Sequence, residues 1–122
     1  MQTNERTRYS DEELEEFKVV LIKKLENAQR QLSFYKNQLQ EIAEGEEGKV
    51  RGLDDGTGTM AIEDIQNQAA RQQKHVRHLE NALIRIENKV YGICRETGRL
   101  IAKERLMAVP HATLSIAAKQ NR

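Results

Sequence analysis

The residues of this 122-residue chain best suited to chemistry are its single cysteine, Cys94, and its three histidines, His75, His78 and His111. A thiol beside an imidazole could form a nucleophile–base pair. A thiolate with an imidazole, for instance Cys94 with His111, could also supply two donors to a structural zinc ion. Neither set is complete. No oxyanion donor is evident near Cys94, and zinc asks for about four S or N ligands. The competing reading of Cys94 is a small buried hydrophobe, and a lone cysteine forms no intramolecular disulfide. The helical carboxylates, Glu87 among them, recur as outward charges rather than as inward Glu-x-x-His metal pairs. No enzyme is expected. A second candidate is Asp54 with Asp55, followed by Gly56. By type it is an ordinary turn, or else a pair of carboxylates held out to a partner.

Composition limits what can position these residues. With two Phe, three Tyr and no Trp, a large globular core is not expected. A charged share of 32% beside 38% apolar residues suits long amphipathic helices with solvated outer faces. The net charge of +1 argues against a protein held to nucleic acid by bulk electrostatics. Arg71, Lys74, Arg77 and Arg85 give one stretch basic character, but Glu80 and Glu87 interrupt it, so sequence-specific DNA binding is not expected. The first residues carry no apolar h-region, and no run approaches the roughly 20 apolar residues of a membrane span. A soluble, cytoplasmic chain is the expectation.

Residues 1–9 are polar and read as disordered. Ser10 and Glu13 then form a capping box, with an acidic first turn suited to the helix dipole. Leu14, Leu21, Leu25, Ala28, Leu32, Tyr35, Leu39 and Ile42 follow in steps of three and four, with Phe17 and Val20 flanking the gap at Lys18. This is a heptad helix, stopped at Gly45. Residues 45–59 hold five glycines and read as a tip loop, with Thr59 as the next N-cap. Ile62, Ile65, Ala69, Gln72, Val76, Leu79, Leu83, Ile86 and Val90 repeat the seam, with Gln72 as a register-setting polar position. The helix is expected to end at Tyr91–Gly92. Two such helices most simply fold back over residues 10–90 as an antiparallel coiled-coil hairpin, a rod of roughly 28 residues and about 40 Å. Residues 91–122 read as a small module of turns and short helices, with Pro110 closing one and Ala112–Gln120 forming another. Leu114 and Ile116 are available there for packing. The module is too small to hold a core alone, so it should dock on the hairpin base through Phe17, Val20 and Tyr91.

The stretch YGICRETGRLIAKERLMAVPHATL resembles the C-terminal module of the DksA/TraR family of bacterial transcription factors. The family's frame of C-x2-C, seventeen residues and C-x2-C falls on Cys94, Thr97, Ser115 and Ala118, so three of four ligands are replaced. The resemblance implies a mainly α fold: a long antiparallel coiled-coil hairpin and a small zinc-finger-like module with a short β-hairpin and short helices, here without zinc. It implies a monomeric cytoplasmic regulator of transcription that binds bacterial RNA polymerase and inserts its hairpin into the secondary channel to modulate promoter complexes. Counted back from Cys94, the family's D-x-x-D-x-A tip motif falls on Arg51, Asp54 and Gly56. Asp54 and Asp55 would then be the tip effectors and Arg71 a docking contact on the polymerase rim. The family's binding positions for the alarmone guanosine tetraphosphate, the signal of the stringent response, fall on His78, Val109 and Lys119. Only Lys119 is a constant cation there, so a phosphate clamp of several cations is not rebuilt and Lys119 is left as the one candidate alarmone contact. The heptads alone would equally fit a non-catalytic adaptor or dimerisation module with no polymerase contact.

Overall fold

The computed structural model describes residues 7–45 and 57–120. Four helices occur in order: α1 (Asp11–Glu44), α2 (Thr57–Glu87), α3 (Lys103–Ala108) and α4 (Ile116–Gln120). The two long helices lie in a hairpin-like arrangement. Chain contacts divide the molecule into two units, Met1–Leu25 with His78–Arg122, and Glu26–Arg77.

The Glu26–Arg77 unit holds the middle of both helices. Ala28, Leu32 and Val76 are buried, while Tyr35, Leu39, Ile42, Ile62, Ile65, Ala69 and Gln72 are half-buried. A seam of two helices covers its a and d residues from one side only, which accounts for the partial burial. Phe34 stands outside the seam at 57% exposure, its ring edge-on to Tyr35 at 5.6 Å. α1 stops at Glu44, directly before Gly45, whose N–H donates to Glu41 O at 2.9 Å. α2 begins at Thr57, so Thr59 lies within the helix and is not its cap.

The other unit contains the larger core. The expected capping box forms: Ser10 N–H donates to Glu13 Oε1 at 3.0 Å, and Glu13 N–H to Ser10 Oγ at 3.1 Å. Above it Leu14, Phe17 and Leu21 of α1 and Leu79, Ala82 and Ile86 of α2 are all buried. Phe17 thus carries the seam through the gap at Lys18. Tyr9, Phe17 and Tyr91 pack in a row, the first pair edge-on and the second tilted, with centroid separations of 5.3 and 5.1 Å. The Tyr9 hydroxyl donates to Ile101 O at 2.5 Å. Tyr9 is therefore a core residue, contrary to the expected disorder of residues 1–9; residues 1–6 lie outside the described residues.

The end of α2 also differs from expectation. The helix stops at Glu87, and Lys89, at φ 63°, takes the left-handed position. Val90 N–H donates to Arg85 O at 2.9 Å and Lys89 N–H to Ile86 O at 3.0 Å, the paired bonds of a Schellman motif built without glycine. Val90 leaves the seam and is 39% exposed. Gly92 then serves a different purpose. At φ 79° it passes under the Tyr9 ring, and an added Cβ would lie 2.7 Å from Tyr9 Cδ2 and Cε2.

The expected β-hairpin reduces to one antiparallel bridge, Ile93 with Leu100; the described residues contain no sheet. The tight turn at 94–98 leaves no length for a ladder. Cys94 N–H donates to Arg99 O, Gly98 N–H to Cys94 O, and Ile101 N–H to Gly92 O. α4 is shorter than the expected Ala112–Gln120 helix, because residues 113–115 run outside it. Its buried side chain is Ala118, while Ile116 is 52% exposed and Leu114 half-buried.

Candidate functional site

Two features of this second unit could carry function: a turn around Cys94 and a cleft lined by cationic side chains. At the turn, Gly98 in the left-handed region (φ 73°) brings the backbone back over Cys94. The sulfur is buried. Burial pushes its pKa up, but hydrogen bonds from the Thr97 hydroxyl and the N–H groups of Ser115, Thr97 and Glu96 outweigh it and bring the thiol down to about 6. The Ser115 N–H lies 3.4 Å from the sulfur. None of these partners is an imidazole.

The four frame positions do converge. Thr97 Oγ1 accepts from Arg99 N–H at 3.2 Å, while Ser115 Oγ accepts from Ala118 N–H at 3.1 Å and caps α4. The Ala118 methyl is 4% exposed. As a donor set this does not fit zinc. It has one thiolate, two hydroxyls already engaged with backbone, and a methyl, against the four S or N ligands of a structural site. Among the described residues no group of three or more His, Cys, Asp or Glu side chains could hold a metal ion.

The cleft has a volume of about 670 Å³ and is lined by the last turns of α2, by Arg95, and by the chain from Arg105 to Lys119. Arg85, Arg95, Arg105 and Lys119 border it together with His78 and His111, whose rings stack at 5.3 Å, and no carboxylate of the described residues lines it. Each arginine is held by neutral oxygens. Arg85 Nη2 donates to Ile93 O at 3.1 Å, Arg95 Nε to Thr113 Oγ1 at 3.1 Å and Arg105 Nε to Leu114 O at 2.8 Å. With Nε engaged, the terminal nitrogens of Arg95 and Arg105 remain as oriented forks for an oxyanion.

The sequence-derived candidates are distributed unevenly over these features. Cys94, Thr97, Ser115 and Ala118 meet at the turn, and Lys119 and His78 line the cleft. Val109 instead ends α3 as its C-cap. Arg71 is an exposed residue of α2 in the Glu26–Arg77 unit. Asp54 and Asp55 lie outside the described residues. Position-by-position reading missed the three cleft arginines, because nothing in their spacing shows that a turn and two helices bring them together.

Residues 89–121 match the family model of the prokaryotic dksA/traR C4-type zinc finger. A 50-residue stretch is 44% identical to the RNA polymerase-binding transcription factor DksA of Caulobacter vibrioides, covering 41% of this chain and 35% of that protein. The likeness to the DksA/TraR proteins is thus strongest in the C-terminal module. Its similarity to General stress protein 16O of Bacillus subtilis is 28% over 104 residues, or 81% of this chain and 64% of the relative. The matched stretches thus span about a third to two thirds of these curated relatives. The solved structure of transcription factor DksA2 from Pseudomonas aeruginosa superposes with a TM-score of 0.78 at 25% identity, over 88% of this chain and 81% of that one. The mainly helical fold resembles that structure, and the matched zinc-finger segment holds a single cysteine in place of four. No helix of the described residues is long and apolar enough to cross a membrane.

Proposed function

We propose that this chain is a non-catalytic regulator of transcription that binds bacterial RNA polymerase directly, inserting its helical hairpin into the secondary channel. The observation that carries the reading is likeness to DksA2 over 88% of the chain, which takes in both long helices and the module, not the zinc-finger segment alone. Asp54 and Asp55 act at the tip, Arg71 is a docking contact, and residues 91–120 anchor the protein at the channel rim. The protein works as a cytoplasmic monomer and without zinc.

Lys119 is the alarmone contact expected from the family positions. The cleft strengthens that expectation, because Arg85, Arg95 and Arg105 supply cations that the replaced positions His78 and Val109 do not. Phosphate groups favour such guanidinium forks.

The test is binding to core RNA polymerase and promoter-complex lifetime, for wild type beside Asp54→Asn/Asp55→Asn, Arg71→Ala and Lys119→Ala. The tip variant should bind but leave the lifetime unchanged, Arg71→Ala should bind more weakly, and Lys119→Ala should lose only the response to added alarmone. Absence of binding by wild type at micromolar concentrations would defeat the proposal.

A further inference from the structure

The segment 113–115 is irregular, yet each of its residues is tied to another part of the module. Thr113 is held twice by Arg95: its carbonyl accepts from Arg95 N–H at 2.9 Å and its hydroxyl from Arg95 Nε at 3.1 Å. Leu114 O accepts from Arg105 Nε of α3 at 2.8 Å. Ser115 N–H donates to the sulfur of Cys94 at 3.4 Å. Beyond Ser115, its hydroxyl caps α4, which places Ala118 as a buried methyl against the module.

These bonds join the two halves that a four-cysteine zinc would join. The first ligand pair of the frame falls on the 94–97 turn and the second on residues 115 and 118, so a metal would cross-link the turn to the start of α4. Here Arg95 and the Ser115–Cys94 contact cross-link the turn to the segment before α4, and Arg105 ties that same segment to α3. We propose that Arg95 and Arg105, with the Ser115–Cys94 contact, form a strap that takes over the structural work of the metal. The backbone cradle around the frame is kept, and the module folds independently of zinc. This goes beyond polymerase binding and stands whether or not that partner is engaged.

Charge and geometry favour the arginines in this role. A guanidinium offers five donors in a rigid plane, so one side chain can hold a carbonyl or hydroxyl from a distance without a carboxylate partner. Arg95 adds its own backbone N–H, making a two-point attachment to a single residue. A metal-held loop needs no such attachments. Nor does the strap leave ligands free to recruit a metal, since both frame hydroxyls accept backbone N–H groups.

The experiment uses the full chain and three readouts. Wild type should contain no stoichiometric zinc, and its Tm should be the same with zinc, with EDTA and with neither; one zinc per chain, or a chelator-induced fall in Tm, would overturn the proposal. The triple variant Thr97→Cys/Ser115→Cys/Ala118→Cys should take up one zinc per chain and show the cobalt(II) spectrum of a tetrahedral thiolate site. Failure to take up either metal would overturn the claim that the cradle is kept. The third readout is coupling. Arg95→Ala in the wild-type background should lower Tm by roughly 5 °C or more, and by less than half as much in the zinc-loaded triple variant. Equal losses in both backgrounds would show that the strap and the metal do different work. Thr113→Val, which removes only the hydroxyl acceptor, repeats the comparison should Arg95→Ala not fold.

Discussion

Gly92 offers the sharpest check on how the module packs, because the same substitution at Gly98 is its control. Both glycines occupy the left-handed region, at φ 79° and 73°. An L-residue there costs about 1–2 kcal/mol, and the smaller stabilisation from restricting the unfolded chain is common to both. The surroundings differ. An alanine Cβ at position 98 meets nothing within 4 Å, whereas at position 92 it lies 2.7 Å from two carbons of Tyr9 and 3.2 Å from Leu106 Cδ1. Optimal carbon contacts are about 3.5–4.0 Å, and the Tyr9 ring has little freedom to retreat. It is 4% exposed, edge-on to Phe17, and anchored through its hydroxyl to Ile101 O. Overpacking of this kind costs about 1–3 kcal/mol. Gly92→Ala should therefore destabilise by roughly 2–5 kcal/mol, and Gly98→Ala by about 1–2. Urea unfolding of both variants, alone and with Tyr9→Leu, measures the difference. The excess at Gly92 should shrink when the ring is removed. Equal costs at the two glycines in the wild-type background would refute the placement of Tyr9 over Gly92.

The Cys94 thiol, brought from 9.0 to about 6 in the folded chain, links stability to pH. Its pKa is lowered on folding, so its contribution is full above the unfolded value, declines as pH falls from about 9 to about 6 and vanishes below that. The gap in urea midpoint between wild type and Cys94→Ala should accordingly narrow on acidification over that window; a gap that is constant or widens would contradict the hydrogen-bonded thiolate. Lys89, left-handed without being glycine, is an opportunity for stabilisation. Lys89→Gly should raise stability by about 0.5–1 kcal/mol, the relief of αL strain exceeding the added chain entropy. Thermal unfolding would expose a loss instead if the Lys89 link to Asp11, at 2.8 Å but between exposed groups, matters more than surface pairs usually do.

What could be read from sequence was what depends on near neighbours. The capping box at Ser10 and Glu13 involves residues three apart, and the heptad seam from Leu14 to Ile42 repeats over single turns, so both were legible. The frame at Cys94, Thr97, Ser115 and Ala118 was legible as a spacing, although only the structure reveals that its hydroxyls serve the backbone. The end of α2 was misplaced because Gly92 looks like a helix stop, while the left-handed residue is a lysine and the glycine is needed for close approach. Tyr9 read as part of a polar tail since its partners, Ile101 and Gly92, lie far along the chain. The cleft arginines Arg95 and Arg105 carry no signal in the sequence for the same reason. Contacts between distant segments leave no periodicity to find.

The bond from Tyr9 to Ile101 spans 92 residues, and that separation has a consequence for how the protein is made. On the ribosome the helical seam can zip up as it emerges, since its contacts run between helices that follow one another in the chain. Tyr9 and Phe17 must wait until Tyr91 and Ile101 have been synthesised. Closing so long a loop is entropically costly in the unfolded chain and slows folding when contacts are non-local. A hairpin already formed brings the ends together and removes most of that cost. The expected order is therefore hairpin before module, with an aromatic pair left exposed in the interval, and destabilised seams at Leu21 or Leu79 should delay maturation of a region they do not belong to by sequence.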